Sequence, residues 1–174
     1  MITSDAYISP CRQFRYDLTR VWGPYGRLLH VVMLNPSTAD ATANDPTIKR
    51  LIHRGKEEEY DGIVVNNLYA FRATYPSVLL NRYTKSYEII GAENNARIAA
   101  AAANAEATCV AWGSHVLVSK RERKVLEILY GVGKPVHCVG LTTDGYPKHP
   151  LHVAYAARLT PYRGRFSTLV SREY

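Results

Sequence analysis

The sequence predicts a single α/β domain, built on a mainly parallel central sheet with helices on both faces and an N-terminal antiparallel hairpin at one edge. Short, continuously apolar segments alternate with longer segments whose apolar residues recur at helical spacing. Buried parallel strands have the first pattern and crossover helices have the second. No repeat, low-complexity tract or linker interrupts the 174 residues. We therefore expect residues 1–174 to form one domain with one sheet.

The first predicted element is the β-hairpin, which follows an irregular start over residues 1–10. Cys11–Trp22 alternates in polarity, with Arg15 and Asp17 on the outer face. The opposite face carries Phe14, Tyr16, Leu18 and Arg20. A Gly-Pro-Tyr-Gly turn then leads to an apolar strand over Arg27–Leu34. The two strands are expected to pair with each other.

A polar loop follows this second strand and precedes a helix predicted over Asp45–Glu59. Asp45 suits the N-cap and Pro46 the first helical position. A helix start does not account for the polar residues ahead of it, and ligands of α/β proteins bind beyond the carboxyl ends of strands. The candidate site residues in this loop are Asn35, Ser37 and Asp40.

The same alternation continues to residue 152. The remaining predicted strands are Ile63–Val65, Thr108–Trp112 and Pro135–Leu141, and the predicted helices are Gly91–Asn104 and a segment that Ser114 can cap and that ends near Tyr130. Residues 77–90 fit a short helix and a loop. Basic residues on the exterior of the helix after Asp45 suit a solvated face, which we favour, or contact with phosphate.

Two further polar loops are expected at the same edge of the sheet. One runs from Asn66 to Thr74 and the other from Thr142 to His152, where two prolines and an Asp-Gly pair hold the histidines on a rigid loop. Strands that run parallel bring such loops around one pocket. A fourth loop, Gly113-Ser114-His115, can join them. The candidates that these loops add are Asn66, Asn67, Tyr69, Arg72, Ser114, His149 and Pro150.

Composition narrows the class of partner. The formal charge of +7 and the pI near 9.4 suit an anionic partner, of which nucleic acid is the commonest. The three cysteines show no CxxC spacing, which indicates a reducing cytoplasm without disulfides or a zinc site. No apolar run is long enough to span a membrane. Nucleotide, zinc-protease and serine-hydrolase motifs are absent from the sequence, and nothing in it requires a cofactor.

Four short motifs, taken in order, resemble the uracil-DNA glycosylase superfamily. Leu-Asn-Pro-Ser at 34–37 resembles its water-positioning motif, and the strand that ends at Asn66 resembles the strand whose asparagine reads the base edge. Ala-Trp-Gly-Ser-His at 111–115 is similar to its late strand, and His149 falls in a His-Pro loop like the one that enters the minor groove. The motifs NPSTAD, NDPT, NLYAFRAT, AWGSH and GLTxDGxPxHPLH together resemble an uncharacterised bacterial and phage family of unknown function.

The resemblance implies cleavage of the N-glycosidic bond of a flipped, modified or non-standard base, with DNA as the expected partner. Asn35 would position water, Asp40 or Asp45 would accept a proton or stabilise positive charge, and His149 would stabilise the departing base. Asn66 would read the base edge, beside an aromatic platform from Tyr69 or Phe71. The efficient uracil enzymes have aspartate at the position of Asn35, and an amide cannot accept a proton.

Other interpretations of these residues stay open. Asn35 and Asn66 can satisfy backbone groups at strand ends, and Asp45 can be a cap alone. Arg72 can pair with a carboxylate, and Trp112 is favoured as a core residue. At the level of function, the alternatives are a non-catalytic binder of nucleic acid or modified bases and a hydrolase of free nucleosides or nucleotides. No obligate protein partner is evident from the sequence.

Overall fold

The computed structural model describes residues 1–37, 43–82 and 86–168. These residues form seven strands, five α-helices and two short 3-10 turns. The strands are β1 (Thr3–Ile8), β2 (Arg15–Val21), β3 (Leu28–Met33), β4 (Gly62–Asn67), β5 (Ala107–Val110), β6 (Val136–Cys138) and β7 (Thr160–Pro161). The helices are α1 (Pro46–Glu57), α2 (Pro76–Arg82), α3 (Ser86–Ile90), α4 (Asn94–Asn104) and α5 (Glu122–Val132), and the 3-10 turns are Val118–Lys120 and Pro150–His152.

All seven strands belong to one mixed sheet in the order β1-β2-β4-β3-β5-β6-β7. The four central strands, β4, β3, β5 and β6, run parallel, whereas β1, β2 and β7 pair antiparallel with their neighbours. The expectation of a mainly parallel sheet therefore holds only for its centre. The α/β class and the single domain agree with the sequence.

The predicted hairpin is wrong in its partners. Strand β2 pairs with β1 and with β4, and β4 lies between β2 and β3. The antiparallel hairpin is instead formed by β1 and β2, so the irregular start expected over residues 1–10 contains the edge strand. β1 is exposed along most of its length, and it therefore lacks the apolar signal that marks a buried strand.

The sheet is covered on both faces. Helix α1 packs on one face against a cluster that contains Leu29, Val31 and Met33 of β3. Helices α4 and α5 cover the other face, where Val32 of β3 belongs to their cluster. Alternate residues of β3 thus pack into two cores on opposite faces of the sheet, which explains why the strand is apolar along its length except at His30. In the part of the chain that the structure describes, no helix is long and apolar enough to cross a membrane.

The basic surface of α1 is partly packed rather than solvated. Arg50 donates from Nη1 to the Val153 carbonyl at 2.5 Å, and its guanidinium lies 4.3 Å from the centre of the Tyr155 ring. Arg54 is only 4% exposed and donates to the carbonyls of Ala154 and Ala157. These arginines fix the segment after residue 150 to the helix, because guanidinium groups satisfy carbonyls that have no partner in a regular element.

A buried polar network crosses the sheet beneath α4. Thr108 of β5 and His30 of β3 are joined through Oγ1 and Nδ1 at 3.0 Å, and His30 Nε2 lies 2.7 Å from Asn66 Oδ1. Asn66 donates from Nδ2 to the Asp17 carboxylate at 2.6 Å, which pairs with Arg97 of α4. Since the Asn66 amide donates to Asp17, its oxygen accepts from His30. His30 Nε2 therefore carries a proton, and the complete burial of the ring favours its neutral form.

We predict that His30 makes the protein less stable in mild acid. Burial lowers the pKa of His30 from 6.5 to about 4, against the opposing effect of the Asn66 hydrogen bond. Between these values the unfolded chain binds more protons than the folded one, so the free energy of unfolding falls as the pH drops from 6.5 towards 4, by up to about 3 kcal/mol. Urea denaturation at neutral pH and near pH 4 measures this loss. His30→Gln should show a smaller loss, and an equal loss in both proteins would contradict the assignment.

Candidate functional site

The candidate site is a cavity of about 230 Å³ at the carboxyl edge of the central strands. From β3 the chain crosses to β4 on one side and later to β5 on the other, so the loops that follow β3 and β5 diverge and open a crevice. The cavity is lined by Arg15, Met33, Leu34, Asn35, Ser37, Asp45, Thr47, Ile48, Val65, Asn67, Ala73, Thr74, Trp112 and His149. Five of the sequence candidates meet here: Asn35, Ser37, Asp45, Asn67 and His149.

The loops after β3 and β4 are held together by hydrogen bonds that continue beyond the strands. Leu68 N donates to Met33 O at 2.8 Å, and Ala73 N donates to Pro36 O at 3.0 Å. Asn35 completes this contact, because its Nδ2 donates to Ala73 O at 2.8 Å and to Pro36 O at 3.1 Å. The amide nitrogen is thereby occupied. Its carbonyl oxygen remains as an acceptor that can hold a water molecule but cannot take its proton.

Asn67 presents a buried donor to the cavity. It is 1% exposed, and its Nδ2 has no hydrogen-bond partner among the described residues. Its backbone is fixed, since Asn94 donates from Nδ2 to the carbonyls of Asn67 and Leu68. A buried amide without a partner costs free energy. Such an atom in a cavity wall is therefore a good candidate for contact with a ligand oxygen.

Asn66 does not line the cavity. It precedes Asn67 in β4 and so points to the opposite face of the sheet. Both ends of its amide are engaged, with His30, with Asp17 and with the Tyr16 carbonyl. The structure thus makes Asn66 a member of the polar network, and its neighbour Asn67 is the asparagine of this pair that lines the cavity.

Asp45 is both a helix cap and part of the cavity wall. Its Oδ1 accepts from Ile48 N at 2.9 Å, and Pro46 follows as the first residue of α1. The sequence prediction of the cap is confirmed. Because one oxygen of the carboxylate is used in the cap, the other can face a ligand, and Asp45 is close enough to His149 to influence its pKa.

His149 stands at the rim of the cavity in a defined orientation. Its Nδ1 accepts from Leu151 N at 3.3 Å, so the neutral ring carries its proton on Nε2. Pro150, which is buried, begins the 3-10 turn that positions the ring. Burial and the nearby His152 lower the pKa of His149, whereas Asp45 raises it. The net direction is downward, and the neutral donor therefore predominates at pH 7.

Arg15 reaches the cavity because of an irregularity that sequence periodicity does not show. Regular alternation from Leu18 would place Tyr16 on the α1 face and Arg15 on the other. The register between β1 and β2 shifts after Tyr7, which leaves Tyr16 as an extra residue. Tyr16 packs on the α4 side, where a Cβ on Gly91 would lie 2.8 Å from its ring. Arg15, 3% exposed, lines the cavity instead.

Trp112 also contributes a donor to this site. The side chain is 1% exposed, which confirms the expectation of a core position, and it joins the cluster under α4 and α5. It nevertheless lines the cavity, and Nε1 has no partner among the described residues. The sequence favoured a core position for Trp112, and it did not single out Thr47 or Thr74 as site residues, although Thr74 ends one of the predicted polar loops.

Four further candidates, Tyr69, Phe71, Arg72 and Ser114, do not line the cavity. Tyr69 is 1% exposed and donates from its hydroxyl to Leu117 O, and Phe71 packs edge-on against Phe14, so neither forms an aromatic platform. Arg72 contacts the Arg12 carbonyl. Ser114 is exposed and does not cap α5, which begins at Glu122. Asp40 lies outside the described residues.

A second cleft, of about 400 Å³, adjoins the cavity and shares with it Leu34, Trp112 and His149. The other residues that line it are Gly113, Ser114, His115, Thr142, Lys148 and His152. These side chains give it hydroxyl groups, a lysine and imidazoles, a set that suits an anionic group. Within the described residues there is no group of three or more His, Cys, Asp and Glu side chains that could hold a metal ion.

We predict that the two roles of Asp45 can be separated by mutation. Asn caps helices as well as Asp, so Asp45→Asn should leave the free energy of unfolding nearly unchanged, whereas Asp45→Ala should lower it by about 1 kcal/mol. Urea denaturation measures both variants. Equal stability of Asp45→Ala and the parent protein would show that the cap contributes nothing.

Comparison with known proteins identifies the family. No curated protein and no solved structure matches the chain significantly. A family model described as "Protein of unknown function (DUF1643)" matches residues 15–151, which include β2, the loops around the cavity and the turn that carries His149. The chain therefore belongs to the DUF1643 family.

Proposed function

We propose that the protein cleaves the N-glycosidic bond of a modified or non-standard base that is flipped out of DNA. The observation that carries the proposal is the pair of adjoining spaces that His149 lines together with Leu34 and Trp112. At about 230 Å³ the cavity is smaller than the roughly 300–1,000 Å³ typical of sites for drug-sized ligands. A single ring suits it better than a whole nucleotide. The sugar and its phosphates would then occupy the adjoining cleft.

In this arrangement the scissile bond lies at the junction of the two spaces. The base enters the cavity and contacts the amide of Asn67, while the sugar remains beside Leu34 and His149. Lys148, His115 and His152 line the cleft and provide positive or protonatable groups for the phosphates. We assign the contact with the base to Asn67 rather than to Asn66, because Asn67 lies on the face of the sheet that borders the cavity and Asn66 lies on the other face.

The chemistry proposed for this site separates charge between the sugar and the base. The bond lengthens towards an oxocarbenium-like sugar, whose positive charge Asp45 stabilises. The neutral His149 donates from Nε2 to the base as that base gains negative charge. Asn35 holds a water molecule through Oδ1, and Asp45 accepts the proton of this water as it attacks the sugar. Because the amide of Asn35 takes no proton, the reaction suits a base that is a good leaving group.

The experiment is the release of bases from oligonucleotides. Single- and double-stranded DNA that contains uracil, 5-hydroxymethyluracil or other modified bases is incubated with the protein, and abasic sites are detected by alkaline cleavage. We expect turnover on at least one substrate. His149→Ala and Asn35→Ala should each lower the single-turnover rate by about 10²-fold or more, the usual size of such contributions.

Arg72→Ala serves as the matched control, because Arg72 lies outside both spaces and should leave the rate unchanged. Tight binding without abasic product would instead favour the non-catalytic binder, in agreement with the asparagine at position 35. Release of base from free nucleosides but not from DNA would favour a nucleoside hydrolase. If no modified nucleic acid is bound or cleaved, the assignment to nucleic acid fails.

A further inference from the structure

We propose that the base taken by the cavity carries a carboxylate substituent and that Arg15 and Asn67 bind it. This inference rests on the proposed function and names its class of substrate. Both residues line the cavity and both are nearly fully buried, at 3% and 1% exposure. They lie on β2 and β4, which are hydrogen-bonded neighbours. Beyond the paired residues of these strands, Arg15 N donates to the Ala70 carbonyl at 2.9 Å, three residues after Asn67.

The position of Arg15 is the first step of the argument. The register shift next to Tyr7 turns this side chain to the α1 face, where a regular strand would have carried Tyr16. Bulges that redirect a side chain are common beside functional sites. The result is a guanidinium group at the wall of a small cavity. A positive charge in such a place strengthens the binding of an anion, because water is largely excluded.

The second step is the amide of Asn67, which points to a ligand independently of Arg15. Its buried Nδ2 has no partner among the described residues and requires an acceptor. A carboxylate provides two acceptor oxygens in one plane, one for the amide and one or both for the guanidinium fork. A neutral methyl or hydroxymethyl substituent provides at most one oxygen and no charge.

The third step concerns the remaining charges of the cavity. Among the described residues that line the cavity, Asp45 is the acidic one. Its carboxylate accepts a hydrogen bond from Ile48 N, which fixes it at the start of α1. Arg15 and Asn67 belong to the strands of the sheet. A ring bound between these elements would direct its substituent to the strands and its glycosidic bond to Asp45 and His149. The cavity thus has Arg15 and Asn67 on the wall formed by the sheet and Asp45 on the wall formed by α1.

Binding of free bases to the intact protein tests the proposal without any need for turnover. Isothermal titration compares 5-carboxyuracil with thymine, which carries a neutral methyl group at the same ring position. We expect 5-carboxyuracil to bind at least about tenfold more tightly, the size of one hydrogen bond to a charged group. Added salt should narrow this difference only slightly, because buried pairs are poorly screened.

Two variants assign the preference to Arg15. Arg15→Gln should remove the preference for 5-carboxyuracil and leave thymine binding within about twofold, whereas Arg15→Lys should keep part of it because the charge remains. Arg72→Gln removes an arginine outside the cavity and should retain the full preference. If Arg15→Gln does not fold, the comparison of the two bases on the parent protein and on Arg15→Lys still decides.

The outcomes separate this inference from the proposed function. If the parent protein binds both bases equally, or releases neutral bases from DNA as fast as carboxylated ones, the inference is overturned and the proposed function stands. If neither base binds and no oligonucleotide is cleaved, both are overturned. A carboxylate preference that Arg15→Gln retains would also overturn the inference, since another group would then be the carboxylate receptor.

Discussion

The candidate site depends on the parallel pairing of β3 with β4 and on its continuation past the strand ends. Hydrogen bonds from Leu68 and Ala73 to the backbone after β3, together with the side chain of Asn35, join two loops that are separated by a helix in sequence. Without this pairing, Asn35 and Asn67 would belong to independent loops. With it, they face one cavity whose shape is set by the sheet, so the site is built on rigid elements.

Much of the architecture could be predicted from the sequence, because it follows from periodicity that acts locally. The buried central strands, the α1 cap at Asp45 and the gathering of polar loops at one edge all belong to this class. The pairing of β2 could not be predicted, since Gly-rich turns indicate that the chain reverses but not which strand becomes the neighbour. β1 carries too few buried residues to be recognised at all.

Within the site, the sequence did not predict the direction in which individual side chains point. Asn66 and Asn67 are equivalent in a motif, but a shift of one residue moves a side chain to the other face of the sheet. A shift of the same kind affects Arg15. Because Tyr16 is an extra residue in β2, Arg15 lies on the face opposite to the one that regular alternation predicts. The net charge of +7 is also an imperfect guide to the surface. Arg15, Arg20, Arg54 and Arg121 are buried, and several of their groups bind backbone carbonyls.

The amide nitrogen of Asn67, which has no partner among the residues that the structure describes, has a consequence for how this protein balances stability and function. A buried donor that lacks an acceptor costs a folded protein about 1–3 kcal/mol. An apolar residue of similar size at position 67 would remove that cost. The protein would then be more stable, and the site would bind its ligand more weakly. Asn67 is thus a position where a stability–activity trade-off is expected. Selection for thermal stability alone would therefore favour the replacement of this asparagine.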